Sequence, residues 1–356
     1  MYEKRTNQVM HKIIDNNLSS FYITNITNVR YLSGFTGSAG SMLITKEKAY
    51  FFTDGRYTEQ VKSQVKNCKI FITGSSHLEE IYKQKLIAVD SSVGFESQHV
   101  THFVHKNMCE KFPKVDWVGT ENIVETIAAV KDSDEISYLK AAIEITDKVF
   151  DEILPLLEPG VTENKIAATM SYKFKEHGAD GDSYDPIVAS GWRSALPHAT
   201  PTNKKIEKGD FVVMDFGALY NGYHADMTRT VVVGKATTEQ SDIYSIVSES
   251  QIAGIKKAKA GITGAEVDRA CRSVIEKAGY GKYFTHSTGH GIGLEVHTMP
   301  RLSSANNEKL LENHVVTIEP GIYIPKLGGV RIEDDCLLTK ESCIPLNRST
   351  KSLLEL

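Results

Sequence analysis

The sequence predicts two domains, an α/β domain over residues 1–128 and an α+β domain over residues 129–356. Strand-like and helix-like segments alternate up to about residue 128. A long amphipathic run then begins at Asp134, which places the boundary just before it. From about residue 183, strand patterns come in runs with two inserted helices, which is typical of helices beside an antiparallel sheet. A length of 356 residues also suits two domains better than one.

In the first domain, short apolar runs predict buried strands at residues 21–24, 41–45, 49–53 and 86–90. Helical spacing predicts helices over 5–16 and 56–65. The glycine-rich segment 34–40 lacks the spacing and the lysine of a phosphate-binding loop. We therefore predict a turn there that leads into the following strand.

In the second domain, apolar residues at helical spacing predict helices over 134–157 and 163–176. Strands over 210–217 and 228–234 are predicted to pair, because Asn221-Gly222 between them is a strong hairpin signal. Helices over 241–260 and 264–278 follow. Later strands are predicted at 315–319, 322–324, 330–333 and 336–338.

Composition excludes several classes of function. A net charge of −4 argues against a nucleic-acid surface, and no apolar run approaches the length of a membrane span. The five cysteines are odd in number and scattered, which fits reduced thiols better than a disulfide framework. The first residues show no apolar leader segment. We therefore expect a cytoplasmic protein without nucleic-acid or membrane partners.

Five titratable residues lie in apolar or glycine-rich segments, where a charged side chain is costly. They are Asp215, Asp226, His290, Glu319 and Glu333. Buried charge persists when it is paired or bound to metal. Because the four carboxylates outnumber the cations near them in sequence, metal is the simpler compensation.

Asp215 and Asp226 belong to one predicted hairpin, so both side chains can face one side of it. Four carboxylates are enough to bridge two metal ions, and bound water then becomes a nucleophile at neutral pH. Oxygen ligands favour Mn²⁺, and one imidazole admits Co²⁺, Zn²⁺ or Fe²⁺. A single aspartate here is more often a turn or cap residue, and the prediction depends on all five positions together.

Further candidates lie close to these residues in sequence. His286, His290 and His297 fall within twelve residues and are interspersed with glycines, which favours a site over isolated core histidines. His198 follows a proline on a loop and could equally be a surface residue. Arg331 is two residues before Glu333, so on a strand it would share its face and orient it through a salt bridge.

These motifs together resemble the metallopeptidases of the pita-bread fold, which include methionyl aminopeptidases, Xaa-Pro aminopeptidases and prolidases. The matching segments are VMDFG (213–217), DMTRT (226–230), HSTGHGIGLEVH (286–297), TIEPG (317–321) and GVRIED (329–334). NVRYLSGFTG (28–37) and TDGRY (53–57) are similar to the amino-terminal domain of the proline-specific branch. The resemblance implies a creatinase/prolidase-like domain over 1–128, serving dimerisation and substrate access. It also implies a pita-bread catalytic domain with a curved antiparallel sheet over 129–356.

The resemblance assigns metal-binding roles to the five residues. Asp215 would chelate one of two divalent ions, and Asp226 and Glu333 would bridge both. His290 and Glu319 would bind the other ion, and Glu319 would also shuttle the proton.

It also assigns roles around the metals. His297 would stabilise the oxyanion, and His198 and His286 would line the substrate pocket. The segment around His198, Arg331 and the extra domain favour the proline-specific branch.

The predicted function is a homodimeric Xaa-Pro aminopeptidase that acts on short peptides with proline at the second position. An Xaa-Pro dipeptidase is the near alternative, and a metal-free binding module of the same fold is the rival from another class. Two positions depart from the family pattern. Thr298 stands where a glutamate is usual, which bears on substrate preference, and His224 precedes Ala225 where a small polar residue is frequent.

Overall fold

The computed structural model describes residues 1–356, which divide into two compact units, Met1–Ala128 and Ala129–Leu356. None of its helices is both long enough and apolar enough to cross a membrane.

The first unit is an α/β layer structure. Its helices are α1 (Tyr2–Asp15), α2 (Ile26–Ser33), α3 (Thr58–Gln64), α4 (His77–Lys83), α5 (His102–Lys111) and α6 (Ile123–Ala129). Its strands are β1 (Ser20–Ile23), β2 (Ser41–Thr45), β3 (Ala49–Thr53), β4 (Lys69–Ile72), β5 (Ser92–Glu96) and β6 (Asp116–Thr120). They form one mixed sheet in the order β4-β3-β2-β1-β5-β6, with β1, β5 and β6 parallel.

One predicted strand of this unit is wrong. Residues 86–90 form an irregular segment that ends in a turn, and the strand begins later, at Ser92. Lys85 (φ 52°) and Asp90 (φ 57°) lie in the left-handed region, which bends the chain on both sides of the apolar run. Ile87 is buried while Val89 is 66% exposed, so the run inserts only part of its surface into the core.

The second unit is α+β. Its helices are α7 (Ser133–Ile153), α8 (Glu163–Glu176), α9 (Thr238–Lys257) and α10 (Gly264–Lys277). Its first strands are β7 (Gly181–Asp182), β8 (Ile187–Ser190), β9 (Phe211–Phe216), β10 (Ala218–Tyr220), β11 (Tyr223–His224) and β12 (Met227–Val232). The later strands are β13 (Gly289–Gly291), β14 (Thr298–Leu302), β15 (Val315–Ile318), β16 (Gly321–Ile324), β17 (Gly328–Arg331), β18 (Asp334–Leu338) and β19 (Cys343–Pro345).

Every strand pairing in this unit is antiparallel, as the sequence predicted. One sheet has the order β12-β9-β8, a second has the order β14-β13-β15-β18-β19, and β16 and β17 form a hairpin. The predicted Asn221-Gly222 turn joins β10 to β11, and both residues have positive φ. Positive φ at both central positions is typical of the type I′ hairpin turn.

Helix ends follow their caps. Helix α7 begins with a capping box between Asp132 and Glu135. Helix α9 begins three residues before the predicted start, because Thr237 and Gln240 form a second capping box there. The prediction missed this box because the apolar spacing becomes regular only further along the helix.

Two separate apolar layers cover the outer faces of the strands. Residues of α7 and α8, such as Phe150 and Met170, pack with Met214 of β9. Residues of α9 and α10, such as Val247, pack with Ile318 of β15. Since side chains alternate along a strand, the neighbours of these core residues face away from both helical layers.

Candidate metal centre

A pocket in the second unit collects all nine side chains that the sequence singled out. Its lining includes Asp215, Asp226, His290, Glu319, Glu333, His198, His286, His297 and Arg331. Tyr184, Ile187, Pro197, Ser287, Val296 and Arg301 complete the lining. Residues more than a hundred positions apart in the chain therefore meet at one site.

Local sequence patterns explain how the ligand candidates reach the pocket. Met214 and Phe216 are core residues of β9, so Asp215 between them points to the opposite face. Asp226 stands directly before β12, after the chain passes close to Gly217. A Cβ at Gly217 would lie 1.8 Å from the Ala225 carbonyl oxygen, so only glycine permits this approach.

The other three candidates come from the larger sheet and its neighbours. His290 is the central residue of β13, Glu319 follows β15, and Glu333 lies between β17 and β18. A Cβ at Gly289 would lie 2.0 Å from the Thr317 carbonyl oxygen, so this glycine lets β13 approach β15 closely.

Asp226, His290 and Glu333 form a buried cluster whose candidate ligand atoms all lie within 4.8 Å of one another. His290 Nε2 is 3.6 Å from Asp226 Oδ2 and 3.4 Å from Glu319 Oε1. The Nδ1–H of His290 donates to the Gly291 carbonyl at 3.1 Å. This bond fixes the tautomer, so the Nε2 lone pair faces the two carboxylates.

The carboxyl groups of the cluster lie in a site that disfavours their charged forms. Burial, and then the charges of Asp215 and Asp335, raise the pKa of Asp226 well above its usual value. Burial and Glu333 raise the pKa of Glu319 in the same way.

Burial also disfavours the charged forms of Glu333 and His290. Burial and the charge of Asp226 raise the pKa of Glu333 strongly, and its buried Oε1 has no hydrogen-bond partner. Burial lowers the pKa of His290 to about 3, so the imidazole is neutral and brings no positive charge. Crowded carboxylates, an unpartnered oxygen and a free imidazole lone pair fit divalent metal ions.

Asp215 has two partners that the sequence did not connect to it. The guanidinium of Arg331 bonds Asp215 Oδ2. The hydroxyl of Tyr184 lies between Asp215 Oδ1, at 2.5 Å, and Asp226 Oδ1. Tyr184 was missed because it lies on the loop between β7 and β8, and no spacing relates it to either aspartate.

The expected salt bridge from Arg331 to Glu333 does not form. Arg331 ends β17 and Glu333 lies beyond it, so the alternation that would place them on one face stops between them. The two are linked indirectly. Arg331 Nε donates to Thr228 Oγ1 at 2.9 Å, and that hydroxyl donates to Glu333 Oε2 at 2.6 Å.

A chain of hydrogen bonds orients His286 at the pocket wall. Arg331 Nη1 donates to the Tyr323 hydroxyl at 2.9 Å, and that hydroxyl donates to His286 Nε2 at 2.9 Å. His286 Nδ1–H donates to the Ser287 carbonyl at 2.7 Å. Burial, and then the charge of Arg331, lower the pKa of His286 to about 4, so the ring is neutral.

His297 and His198 lie at the mouth of the pocket. The ring centroid of His297 is 4.3 Å from that of His290. Partial burial and the nearby Arg301 lower the pKa of His297. His198 is exposed beside Pro197 on the segment between β8 and β9. Both rings are therefore accessible to a molecule that enters the pocket.

Two further side chains support the ligands and were not predicted. Thr317 Oγ1 donates to Glu319 Oε1 at 3.2 Å and accepts from the His290 amide at 3.1 Å. Asp335 Oδ2 accepts from the Asp226 amide at 2.9 Å. The contacts to His290 and Asp226 join residues far apart in the chain, so the sequence does not reveal them.

The two departures from the family pattern lie beside the pocket lining. Thr298 pairs with Gly291 across β14 and β13, and its hydroxyl donates to the Met299 carbonyl at 3.1 Å. His224 Nδ1 lies 3.0 Å from both oxygens of Ser183. Neither residue is among those that line the pocket.

Glu152 of α7, Glu176 at the end of α8 and His177 directly after it also bring candidate ligand atoms together. Lys173 Nζ lies 3.2 Å from Glu152 and 2.6 Å from Glu176, and His177 Nε2 lies 2.9 Å from Glu152. These partly exposed carboxylates are already paired, so this group is an ion-pair network.

Comparison with known proteins decides the family. The model of metallopeptidase family M24 matches residues 137–340, and that of the creatinase/prolidase N-terminal domain matches residues 5–130. The chain belongs to metallopeptidase family M24. It is 39% identical to the Xaa-Pro dipeptidase of Pyrococcus horikoshii, over 98% of this chain and 99% of that protein.

Solved structures of similar proteins show the same architecture. The Xaa-Pro dipeptidase from Bacillus anthracis is 40% identical, with a TM-score of 0.97 over 100% of both chains. The X-Pro aminopeptidase from Thermotoga maritima is 38% identical, with a TM-score of 0.89 over 96% of this chain and 98% of that chain. The predicted family, its pita-bread fold and the class of metallo-exopeptidase are confirmed.

Proposed function

We propose that this M24 protein hydrolyses the bond between an amino-terminal residue and a following proline. One observation carries the proposal. Four buried or half-buried carboxylates and the free lone pair of a neutral imidazole meet in a pocket that also presents histidines at its wall and mouth. The names of similar proteins, Xaa-Pro dipeptidase and X-Pro aminopeptidase, support the choice of bond.

Asp215, Asp226, His290, Glu319 and Glu333 would hold two divalent ions. Carboxylate oxygens with one imidazole suit Mn²⁺ best, and Co²⁺, Zn²⁺ or Fe²⁺ fit the same donors. When bound, such ions supply a water of lowered pKa and polarise the scissile carbonyl.

Glu319 is the residue of this chain best suited to move a proton. Its carboxyl lines the pocket beside the other ligand candidates, with Oε1 3.4 Å from His290 Nε2, so it lies within reach of a peptide that enters the pocket. Thr317 holds its Oε1, which leaves Oε2 to carry the proton. The nitrogen of an Xaa-Pro bond has no hydrogen, so the proline leaves as a secondary amine only after it receives one.

His297 is placed to stabilise the developing oxyanion. Its lowered pKa keeps the ring neutral, so it offers one N–H to an oxygen near the cluster. His286 and His198 would position the peptide from the wall and the mouth. Arg331 would keep Asp215 in place through its bond to Oδ2.

Arg301 favours dipeptides as substrates, which makes Xaa-Pro dipeptidase the second candidate beside Xaa-Pro aminopeptidase. Arg301 lines the pocket, and no carboxylate of the chain forms a salt bridge with it. Arginine recognises carboxylates through paired N–H donors. A dipeptide presents a free carboxylate directly after proline, whereas a longer peptide presents an amide there.

The test is hydrolysis by the Mn²⁺-loaded protein of Ala-Pro, Ala-Pro-amide, Ala-Pro-Gly and Ala-Ala, with released alanine measured. Cleavage of proline peptides and not of Ala-Ala supports the proposal, and failure to cleave any proline peptide refutes it. If Arg301 binds the carboxylate of the dipeptide, R301Q should slow the cleavage of Ala-Pro and leave the cleavage rate of Ala-Pro-amide unchanged. Equal loss with both substrates would contradict that role.

We also propose a cytoplasmic homodimer joined through the amino-terminal domain. The support is the resemblance of residues 28–37 and 53–57 to that domain of the proline-specific branch. Light scattering of the full chain and of residues 129–356 alone tests it. We expect the full chain to be a dimer and residues 129–356 to be a monomer. A monomeric full chain would contradict the proposal.

A further inference from the structure

Glu163 is a buried carboxylate that the proposed mechanism does not use. It is the first residue of α8 and has 0% exposure. Its Oε1 accepts hydrogen bonds from the amide and the hydroxyl of Ser190, at 2.8 and 3.0 Å. Its Oε2 accepts from the amide and the hydroxyl of Thr202, at 3.0 and 2.8 Å. Arg193 Nε reaches the same carboxylate at 3.0 Å.

These contacts tie together the two ends of one segment. Ser190 ends β8, and Thr202 lies twelve residues later, so a single side chain closes the segment 190–202, here called the wall segment. Arg193 Nη2 donates to the Thr200 carbonyl at 2.6 Å, which forms a second link between the two halves of the wall segment. Lys204 Nζ donates to Ser190 Oγ at 3.0 Å.

The middle of the wall segment reaches the pocket. Pro197 and His198 line it, and the Pro197 carbonyl accepts from Arg331 Nη1 at 3.3 Å. The amide of Gly329, on β17, donates to Ser194 Oγ at 2.8 Å. The wall segment is therefore fixed to β17 on the pocket side and to Glu163 on the far side.

We propose that Glu163 is a positioning residue that sets the place of His198 and Pro197 against the substrate. The proposal rests on the proposed function, because it assigns His198 a contact with the peptide. Glu163 touches neither the metal-ligand candidates nor the pocket lining. It acts through both ends of the wall segment, so it governs substrate binding and leaves metal binding alone. Because the wall segment is already ordered before the peptide arrives, peptide binding does not include the entropic cost of ordering that segment.

The test compares E163Q with E135Q in the Mn²⁺-loaded full chain. In E163Q the glutamine side chain would place an NH₂ group against Ser190 or Thr202. The amides and hydroxyls of these two residues donate to Glu163 in the wild type, so donor would then face donor. Misplaced positioning groups cost on the order of 10- to 100-fold in kcat/KM, and we expect that loss for Ala-Pro, mainly through KM. Glu135 is the matched control, a buried glutamate of α7 that accepts from the Tyr223 hydroxyl and the Asp132 amide.

Two readouts separate positioning from loss of stability. The Mn²⁺ affinity of E163Q, measured by calorimetry, should equal that of wild type. The double variant E163Q/H198A should be little less active than the less active of the two single variants, because both substitutions remove the contact of His198 with the peptide. If E163Q does not fold, T202V removes the hydroxyl that donates to Glu163 Oε2 and accepts from the Lys204 amide, and it should likewise raise KM.

Amide hydrogen exchange tests the contacts of Glu163 with the wall segment in the absence of substrate. The amides of Ser190 and Thr202 should exchange faster in E163Q than in E135Q. If wild type cleaves Xaa-Pro peptides but E163Q keeps the KM of E135Q, the inference is wrong and the proposed function stands. If wild type cleaves none, the proposed function fails. Unchanged exchange at Ser190 and Thr202 would show that Glu163 does not hold the wall segment at all.

Discussion

The Thr228 hydroxyl donates a 2.6 Å hydrogen bond to Glu333 Oε2, deep in the candidate metal centre. The same hydroxyl accepts from Arg331 Nε at 2.9 Å, so its single proton is directed to the glutamate. Glu333 has no cation partner of its own, and its Oε1 is left buried and unpartnered. Thr228 thus orients one oxygen of the carboxylate and leaves the other for a metal ion.

Replacing Thr228 by valine removes this hydroxyl without changing the shape of the side chain. We expect T228V to weaken Mn²⁺ binding by about 10-fold, which is the usual scale for the loss of a supporting hydrogen bond at a metal ligand. T228S keeps the hydroxyl and should bind as wild type does. Calorimetric titration of both variants checks this, and equal affinity in T228V and wild type would contradict it.

The metal-free protein should lose stability as pH rises. Burial and mutual repulsion raise the pKa of Asp226, Glu319 and Glu333 above their usual values. Above about pH 4 the unfolded chain therefore releases protons that the folded chain keeps, and the free energy of unfolding falls as pH rises toward the folded pKa values. Urea unfolding from about pH 5.5 to about pH 8 measures this trend.

Saturating Mn²⁺ should oppose that trend, because ions that bind only the folded carboxylates stabilise the folded state. The gain from metal should grow with pH as the ligands lose their protons. A metal-free protein whose stability rises over the same pH interval would contradict the assignment of these three carboxyl groups to an uncompensated cluster.

Lys131 is a buried lysine that costs stability. Its ammonium donates to the Ala129 carbonyl at 3.1 Å, and burial, opposed by Glu135, lowers its pKa to about 8. Between pH 8 and the usual lysine pKa near 10.5, the unfolded chain holds the extra proton, so stability rises with pH there. Below about pH 8 the full cost of burying the charge remains.

We therefore expect K131M to stabilise the metal-loaded protein by about 1–3 kcal/mol at pH 7, with a smaller gain near pH 10. The pKa of His314, which burial and Lys131 lower to about 4, should rise in the same variant. Urea unfolding at the two pH values and nuclear magnetic resonance titration of His314 measure these effects. Destabilisation at pH 7 would show that the Lys131 contacts outweigh its desolvation.

The ligand candidates could be predicted because each stands in a local context that makes its chemistry costly. Asp215 interrupts an apolar strand, and His290 lies between glycines that permit close strand approach. Tyr184 and Thr228 carry no such signal, since a tyrosine on a loop and a threonine on a strand are both ordinary. Their importance comes from tertiary contacts, which a single sequence does not encode locally.

The fold was predictable to a similar degree. The Asn221-Gly222 turn was found because its backbone conformation demands those residues. The run at 86–90 was mistaken for a strand because apolar content alone does not reveal the left-handed residues that bend it. Arg331 was assigned the wrong carboxylate because strand alternation was extended past the end of β17.

The most direct test of the metal-dependent mechanism is hydrolysis of Ala-Pro by metal-free protein titrated with Mn²⁺, with D226A alongside and the exposed D242A as control. Wild type and D242A should be inactive without metal and reach a plateau near about two equivalents of Mn²⁺ per chain. D226A should bind no Mn²⁺ and stay inactive. Full-rate hydrolysis by the metal-free protein, or activity retained in D226A, would contradict the account.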